Sequence, residues 1–306
     1  MDLLKFLLRI NRILGQLVKV AERETAKRYA RMLAEVRAEM ASQYEKYEKD
    51  GKLSLEEMVK HDRLRKLEAR FTRILSTHYA DMYKHINRAL GEMYKDGYYL
   101  TAHTVETVSK VKIGYSTVTP ETLQAMLDNP VNGLTLKRRL ERNRNQIIGE
   151  IQQQVTAGLQ NNESYSTMSK RLKSSLEGDA VKSMRIVRTE GHRVQESAKN
   201  DAATHATKNG VIMVKEWNSL EDERVRRRPK HAADHKKLNG TKIAMDKLFD
   251  DGLSKGPAPG QMGAAGSDIN CRCFLTYSIE RLERPQHEEL AEMELETWKK
   301  ERLRRR

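Results

Sequence analysis

The sequence predicts a mainly α-helical protein that closes with a small C-terminal α+β module: a long N-terminal helical hairpin, then a helix bundle leading into a short-stranded sheet. Three observations carry this. Apolar residues recur at three- and four-residue spacing through most of the chain, the first convincing β-branched run appears only after Lys208, and the composition is polar. With 38% hydrophobic, 33% charged and 6% aromatic residues, the 306-residue chain suits long exposed helices better than one compact ball.

Leu3, Leu7, Ile10, Leu14 and Leu17 open a helical stripe that Leu33, Val36, Met40, Tyr44 and Tyr47 resume, so a long helix, or two nearly collinear ones, should run to about Lys49 and end at Asp50-Gly51. Leu64, Leu67, Phe71, Leu75, Met82, Ile86, Leu90 and Met93 form the second stripe, and a hairpin in which each stripe hides the other is the economical arrangement. The pattern breaks at Ile113-Gly114-Tyr115-Ser116-Thr117-Val118. It restarts with Thr119 as N-cap, Pro120 at the first helical position and Glu121 in the first turn. Ile148, Ile151, Val155 and Leu159 mark a further helix, and Tyr165, Met168, Leu172 and Leu176 another before Gly178. The expected divisions are residues 1–113, 119–180, 181–282 and 283–306: long helices, helical connector, α+β module and charged tail.

Asn209-Gly210 turns the chain into Val211-Ile212-Met213-Val214-Lys215-Glu216-Trp217, the first strand, and Cys273 to Ile279 supplies a second. Between them, Ser254 to Gly266 is rich in Gly, Pro and Ala and reads as a mobile loop without a core of its own. The tail ending Arg302-Leu303-Arg304-Arg305-Arg306 reads as an extra helix or a disordered basic end. The apolar N-terminus is interrupted by Lys5, Arg9 and Arg12, too short and too charged for a membrane span and without signal-peptide architecture. Two cysteines at i and i+2 exclude a disulfide framework and suit assembly in a reducing cytoplasm.

The most informative stretch holds Trp217-Asn218-Ser219, Asp222, Arg224, Arg226, His235-Lys236-Lys237-Leu238-Asn239-Gly240 and Asn270-Cys271-Arg272-Cys273. A strand-ending tryptophan, an Asp-x-Arg-x-Arg step, a His-x-x-Leu-Asn-Gly step, a Gly/Pro loop and a closing Asn-Cys-Arg-Cys, preceded by Arg188-Thr189-Glu190, resemble the head-morphogenesis family of tailed bacteriophages, the Mu-F-like minor head proteins. The resemblance covers the C-terminal half by motif and the N-terminal half in style. It places Arg188, Glu190, Trp217, Asp222, Arg224, His235, Gly240, Asn270, Cys271 and Cys273 at family-motif positions. The gap between Arg226 and the histidine is longer than usual, and the Leu-Asn-Gly spacing favours His235 over His231. The resemblance implies a virion protein inside the head near the portal, present in few copies. Its implied partners are the portal protein and, in assembly, scaffolding or major capsid protein or further copies of itself.

On the residues themselves, His231 and His235 would share a helix face, and Cys271 and Cys273, if extended, would point to the same side. Two imidazoles and two thiolates suit one structural zinc. Against this, the spacing is Cys-x-Cys where zinc knuckles use Cys-x-x-Cys, and the cysteines can equally be small buried hydrophobes with a hydrogen-bonded histidine. No cofactor is required for the expected role. Asp222, Arg224, Arg226 and His235 also fit a polar network locking loops to strands. Glu190 on a helix reaches Arg193 three residues on.

A net charge of +14 and a pI near 9.6 point to polyanions. Lys137, Arg138, Arg139, Arg142 and Arg144 form one basic cluster, and Arg224, Arg226, Arg227, Arg228 and Lys230 a second, with few aromatics interleaved. This favours backbone contact to double-stranded DNA over stacking on single strands. The expected function is non-enzymatic head assembly or genome delivery, with no catalytic residues. A metal-dependent nuclease or a toxin-like effector packaged in the virion is the alternative, and the nuclease version lacks a partner asparagine and second histidine in sequence order. The N-terminal stripes are expected to supply assembly contacts, leaving the module from about Val181 onward to fold alone.

Overall fold

The computed structural model describes residues 2–131, 133–283 and 292–303. In chain order the elements are α1 (Leu3–Tyr47), α2 (Leu55–Val59), a 3-10 turn (Lys60–Asp62), α3 (Arg63–Ser109), α4 (Pro120–Asp128), α5 (Leu136–Gln160), α6 (Tyr165–Lys208) and β1 (Val211–Asn218). There follow α7 (His235–Leu238), β2 (Lys242–Ala244), β3 (Phe249–Asp250), β4 (Lys255–Gly256), α8 (Ala265–Asp268), β5 (Phe274–Leu282) and α9 (Leu295–Arg302). The predicted class holds: long helices come first and a small antiparallel sheet last.

The chain forms two compact units, each from separate segments. Residues Val20–Asn87 and Leu136–Val187 make an all-helical unit, while Met1–Lys19, Arg88–Thr135 and Arg188–Arg306 make a unit that contains the strands. This partition differs from the linear one drawn from sequence, because α1, α3 and α6 each contribute residues to both.

In the helical unit α1 and α3 run antiparallel. Tyr29 meets Tyr79 edge-on at 6.4 Å, Arg28 pairs with Asp81 at 2.9 Å and Arg70 with Glu39 at 2.9 Å, so residues later in one helix meet residues earlier in the other. Met32, Val36 and Met40 of α1 and Leu67, Phe71 and Leu75 of α3 are buried, as are Ile151 and Val155 of α5 and Met168 and Leu172 of α6. At its centre Asp179 accepts hydrogen bonds from both Tyr29 (2.6 Å) and Tyr79, and Ser183 lies 2.9 Å from the Tyr29 hydroxyl. Burial pushes the Asp179 carboxyl above its usual range despite these donors.

In the strand-bearing unit the sheet order is β2-β1-β5, antiparallel throughout, with Trp217 opposite Leu275 and Lys215 opposite Tyr277. Alternate residues of β1 (Val211, Met213, Lys215, Trp217) are buried, as its pleat requires. Leu7, Ile10 and Leu14 lie in the same core as Ala202, Ala203 and Ala206 of α6 and Trp217, Leu275 and Tyr277 of the sheet. The expectation that Leu7, Ile10 and Leu14 serve assembly is thereby corrected. Their side chains are buried in this core, which they share with α6 and the sheet. A buried polar chain reinforces the join: Glu196 accepts the Leu275 amide at 2.9 Å and pairs with Lys199 at 2.6 Å, and Lys199 bonds Asn11.

Two other expectations change. Gly178 does not end a helix; α6 runs through it for 44 residues, since a glycine penalty of about 1 kcal/mol is small beside the packing of a long amphipathic face. Ser254–Gly266 has core residues after all: Ala258 and Met262 are buried, Lys255–Gly256 pairs with Phe249–Asp250, and the Met262 and Gly263 amides donate to Asp268 at 2.9 and 2.8 Å. Buried Lys215 also donates to the Pro257 carbonyl at 2.9 Å. The tail forms α9, whose buried Trp298 donates its indole N–H to Glu106 at 2.7 Å. The same carboxylate caps the Ile113 amide at 2.6 Å, at the predicted break. Thr119 caps α4 as expected, accepting the Thr122 amide. The basic end Arg304-Arg305-Arg306 lies outside the described residues.

Two glycines give a sign test. A Cβ on Gly256 would sit 2.1 Å from the Gln261 carbonyl oxygen, whereas one on Gly149, mid-helix in α5, meets nothing within 4 Å. Gly256→Ala should destabilise the protein by at least ~1–3 kcal/mol, and Gly149→Ala should stabilise it by ~0.5–1 kcal/mol, both read from urea denaturation midpoints. Equal signs would contradict this packing.

Candidate metal centre and its polar surround

The Asn-Gly step of the His-x-x-Leu-Asn-Gly motif is the turn that joins α7 to the sheet. Gly240 adopts φ +77°, a conformation that favours glycine, and its amide donates to the Trp217 carbonyl at 2.8 Å, while Asn239 accepts the Ser219 amide at 2.8 Å. Asp234 caps α7 by accepting the Lys237 amide at 3.0 Å, which makes His235 the first helical residue and turns it inward to 1% exposure.

The His235 ring is held at both nitrogens. Nδ1 lies 3.6 Å from the Cys271 sulfur and 3.6 Å from the Cys273 sulfur, and Nε2 lies 3.3 Å from Asp251 Oδ2. Asp251 is itself fixed, its other oxygen accepting the Leu253 and Ser254 amides at 2.9 and 2.8 Å. Trp217 stacks edge-on against the imidazole at 5.2 Å, with its indole N–H beside Cys273. Among the described residues, His235, Cys271 and Cys273 are the group of His, Cys, Asp or Glu whose donor atoms converge, all within 4.8 Å of one another and all buried. Contact with Cys273 and burial push the Cys271 thiol up to about 11, and the same contact lowers Cys273.

The Cys-Arg-Cys step works by alternation. The cysteines turn inward, and Arg272 between them turns out to grip Asp222 through both guanidinium nitrogens, one at 2.6 Å. Asn270, at φ +56°, sets this register, and its amide donates to Thr189 at 3.2 Å, tying the motif to α6. Beside Thr189, Glu190 and Arg193 form the expected buried pair at 2.9 Å, and Arg193 also donates to the Met126 carbonyl at 3.1 Å. Arg188 is exposed.

The structure separates some residues that the sequence grouped. His231 lies in the bends before α7, so it shares no helix face with His235, and it is not part of the converging group. Reading the sequence missed His192 and Asp251. The His192 imidazole lies near the Cys271 sulfur but, like His231, outside the converging group, and its Nε2 is buried with no hydrogen-bond partner. Nothing in the spacing signals it, because α6 brings it in from far upstream. In the second basic cluster Arg226 donates to the Ile269 carbonyl, and Arg228 to the Ala232 and Gly252 carbonyls at 3.2 and 3.0 Å. Arg224 stands 3.6 Å from Asp222, while Arg227 and Lys230 are exposed. In the first cluster Lys137, Arg138 and Arg142 are exposed on α5, and Arg139 and Arg144 are half-buried.

Comparison with known proteins fits this site. The family model described as Phage Mu protein F like protein matches residues 149–276, which include every member of the converging group. The chain is 34% identical over 274 residues to the minor head protein GP7 of Bacillus phage SPP1, an alignment that covers 89% of this chain and 86% of that one. The chain belongs to the phage minor head protein family. It is also 24% identical over 221 residues to the NAD(+)--arginine ADP-ribosyltransferase EFV of Enterococcus faecalis, covering 72% of this chain but 44% of that protein. No solved structure matches it.

Two predictions follow from the polar surround. Hydrogen bonding from Arg272 holds the Asp222 carboxyl down to about 2, so its stabilising contribution is present above the ordinary carboxylate range near 3.9 and is lost as pH falls through the folded value. The melting-temperature gap between wild type and Asp222→Asn should therefore close between about pH 4 and pH 2; a gap constant with pH would contradict the pairing. Glu190→Ala, which strands a buried guanidinium, should cost about 3–5 kcal/mol in denaturant unfolding.

Proposed function

We propose that this protein is a non-enzymatic structural component of the phage head, positioned inside the capsid near the portal, where it associates with the portal protein and contacts packaged double-stranded DNA. It acts in head assembly or genome delivery after synthesis in the host cytoplasm. The observation that carries this reading is the end-to-end similarity to a minor head protein. The charge of +14 supports the DNA contact, and among the described residues no helix is long and apolar enough to cross a membrane.

The donors of the second basic cluster are partly engaged within the fold. Arg226 and Arg228 spend their donors on backbone carbonyls, so the second cluster is partly scaffold. The α5 cluster begins in the first turn of its helix, which holds no acidic residue. Cations there oppose the helix dipole, at ~0.3–1 kcal/mol each where exposed, and a bound phosphate would relieve that cost. Lys137, Arg138 and Arg142 are therefore the residues through which duplex backbone binding is expected to run.

Raising salt from about 50 to about 200 mM should weaken duplex binding by ~10³-fold or more if about six phosphates are contacted, without sequence preference. Charge reversal at Lys137, Arg138 and Arg142 should flatten that salt slope, and a flat wild-type response would remove the DNA role. Co-purification with the portal protein from infected cells tests the other partner.

A second reading, a toxin-like effector carried in the virion, is favoured by the similarity to the ADP-ribosyltransferase. More than half of that protein lies outside the alignment, so the alignment leaves open where its activity resides. Incubation of the full chain with NAD and an arginine-bearing acceptor, and with duplex DNA and a divalent metal, separates the readings: transfer or cleavage would support the effector or nuclease, and neither is expected.

A further inference from the structure

We infer that His235, Cys271 and Cys273, whose donor atoms converge, hold one structural zinc ion, with His192 of α6 as the fourth ligand on a shift of its ring. The first argument is metric. Zinc bonds of ~2.3 Å to sulfur and ~2.0–2.1 Å to nitrogen at tetrahedral angles place a sulfur and a nitrogen ligand about 3.5–3.6 Å apart. His235 Nδ1 stands 3.6 Å from each of the two sulfurs, so three corners of the tetrahedron are already set.

The second argument is the support behind the ligand. A metal-bound imidazole characteristically gives its other N–H to a carboxylate, which fixes the tautomer. Asp251 fills that place at His235 Nε2, and its own lone pairs are held by two backbone amides. A purely packed histidine has no need of two sulfurs on one nitrogen, since a thiol is a weak partner.

The third argument concerns the fourth corner. His192 lies near Cys271 with a buried Nε2 that has no hydrogen-bond partner, and it stands outside the three donors that lie within 4.8 Å of one another, so its ring would have to shift toward them to fill the corner. His192 therefore takes the place that sequence spacing gave to His231. Two soft sulfurs and two imidazoles in a buried pocket select zinc over magnesium or calcium. Three buried ligands and a neighbouring helix close the ion off from turnover, so its role is to hold the Cys-Arg-Cys segment and α7 against α6.

The test uses the full chain, purified without chelator or added metal. Elemental analysis should give one zinc per chain for wild type and for His231→Ala. Substitution with Co(II) should give the intense visible bands of a tetrahedral site with thiolate charge transfer. His192→Gln should weaken retention against a competing chelator by at least the ~10–100-fold that loss of even an outer-shell partner costs, and His231→Ala should not. Circular dichroism of each variant separates ligand loss from unfolding, and the wild-type metal content stands whatever the variants do. Metal-free wild type that takes up no cobalt would overturn the site. Zinc lost in His231→Ala but retained in His192→Gln would overturn the fourth ligand, and iron in place of zinc would overturn the metal.

Discussion

The strand-bearing unit depends on one side chain held at both ends. His235 points one ring nitrogen at Asp251 and the other at two sulfurs, with Trp217 against its face. Those neighbours come from β1, from the stretch that follows β3 and from the approach to β5, so a single imidazole ties together the ends of three segments. Around it the polar groups are spent locally: Asp222 on Arg272, Asn239 on Ser219, Asn270 on Thr189. The motif residues are less a reactive site than a set of ties, each closing a loop that has little apolar surface of its own.

What was legible in the sequence is what repeats. The stripes of α1 and α3, the Thr119-Pro120 start of α4 and the alternation of β1 obey periods of 3.6 and 2, and the structure follows them. The Glu190–Arg193 pair was legible for the same reason, being three residues apart on one helix. Long-range packing was not. Leu7, Ile10 and Leu14 read as one helical stripe with no indication of what covers it, and what covers them is residues of α6 and the sheet. Ser254–Gly266 looked coreless because glycine and proline report turn geometry and not whether Ala258 and Met262 find a pocket.

The converging group shows both limits together. Cys271, Cys273 and His235 were identified because they are rare residue types close in sequence. His192 was invisible because a long helix delivers it from another part of the chain, and His231 was overvalued because an i, i+4 spacing has meaning only where a helix exists. The basic runs behave likewise: counting arginines treats Arg226 and Arg228 as surface charge, whereas their guanidinium groups hold backbone carbonyls.

One consequence concerns the order of events during synthesis. The core that receives Leu7, Ile10 and Leu14 also contains Leu275 and Tyr277. At about 5–20 residues per second, a ribosome needs on the order of 10 s to a minute to bridge that interval. Throughout it the first turns of α1 carry apolar side chains whose permanent neighbours do not yet exist. Folding of this unit is therefore late and dominated by contacts distant in sequence, a regime that is slow and exposed to association with other chains. A nascent chain in that state is sticky at its N-terminal end, and protection of that end, by a chaperone or by early engagement with another head component, would govern the yield of assembled protein more than the stability of the finished fold does.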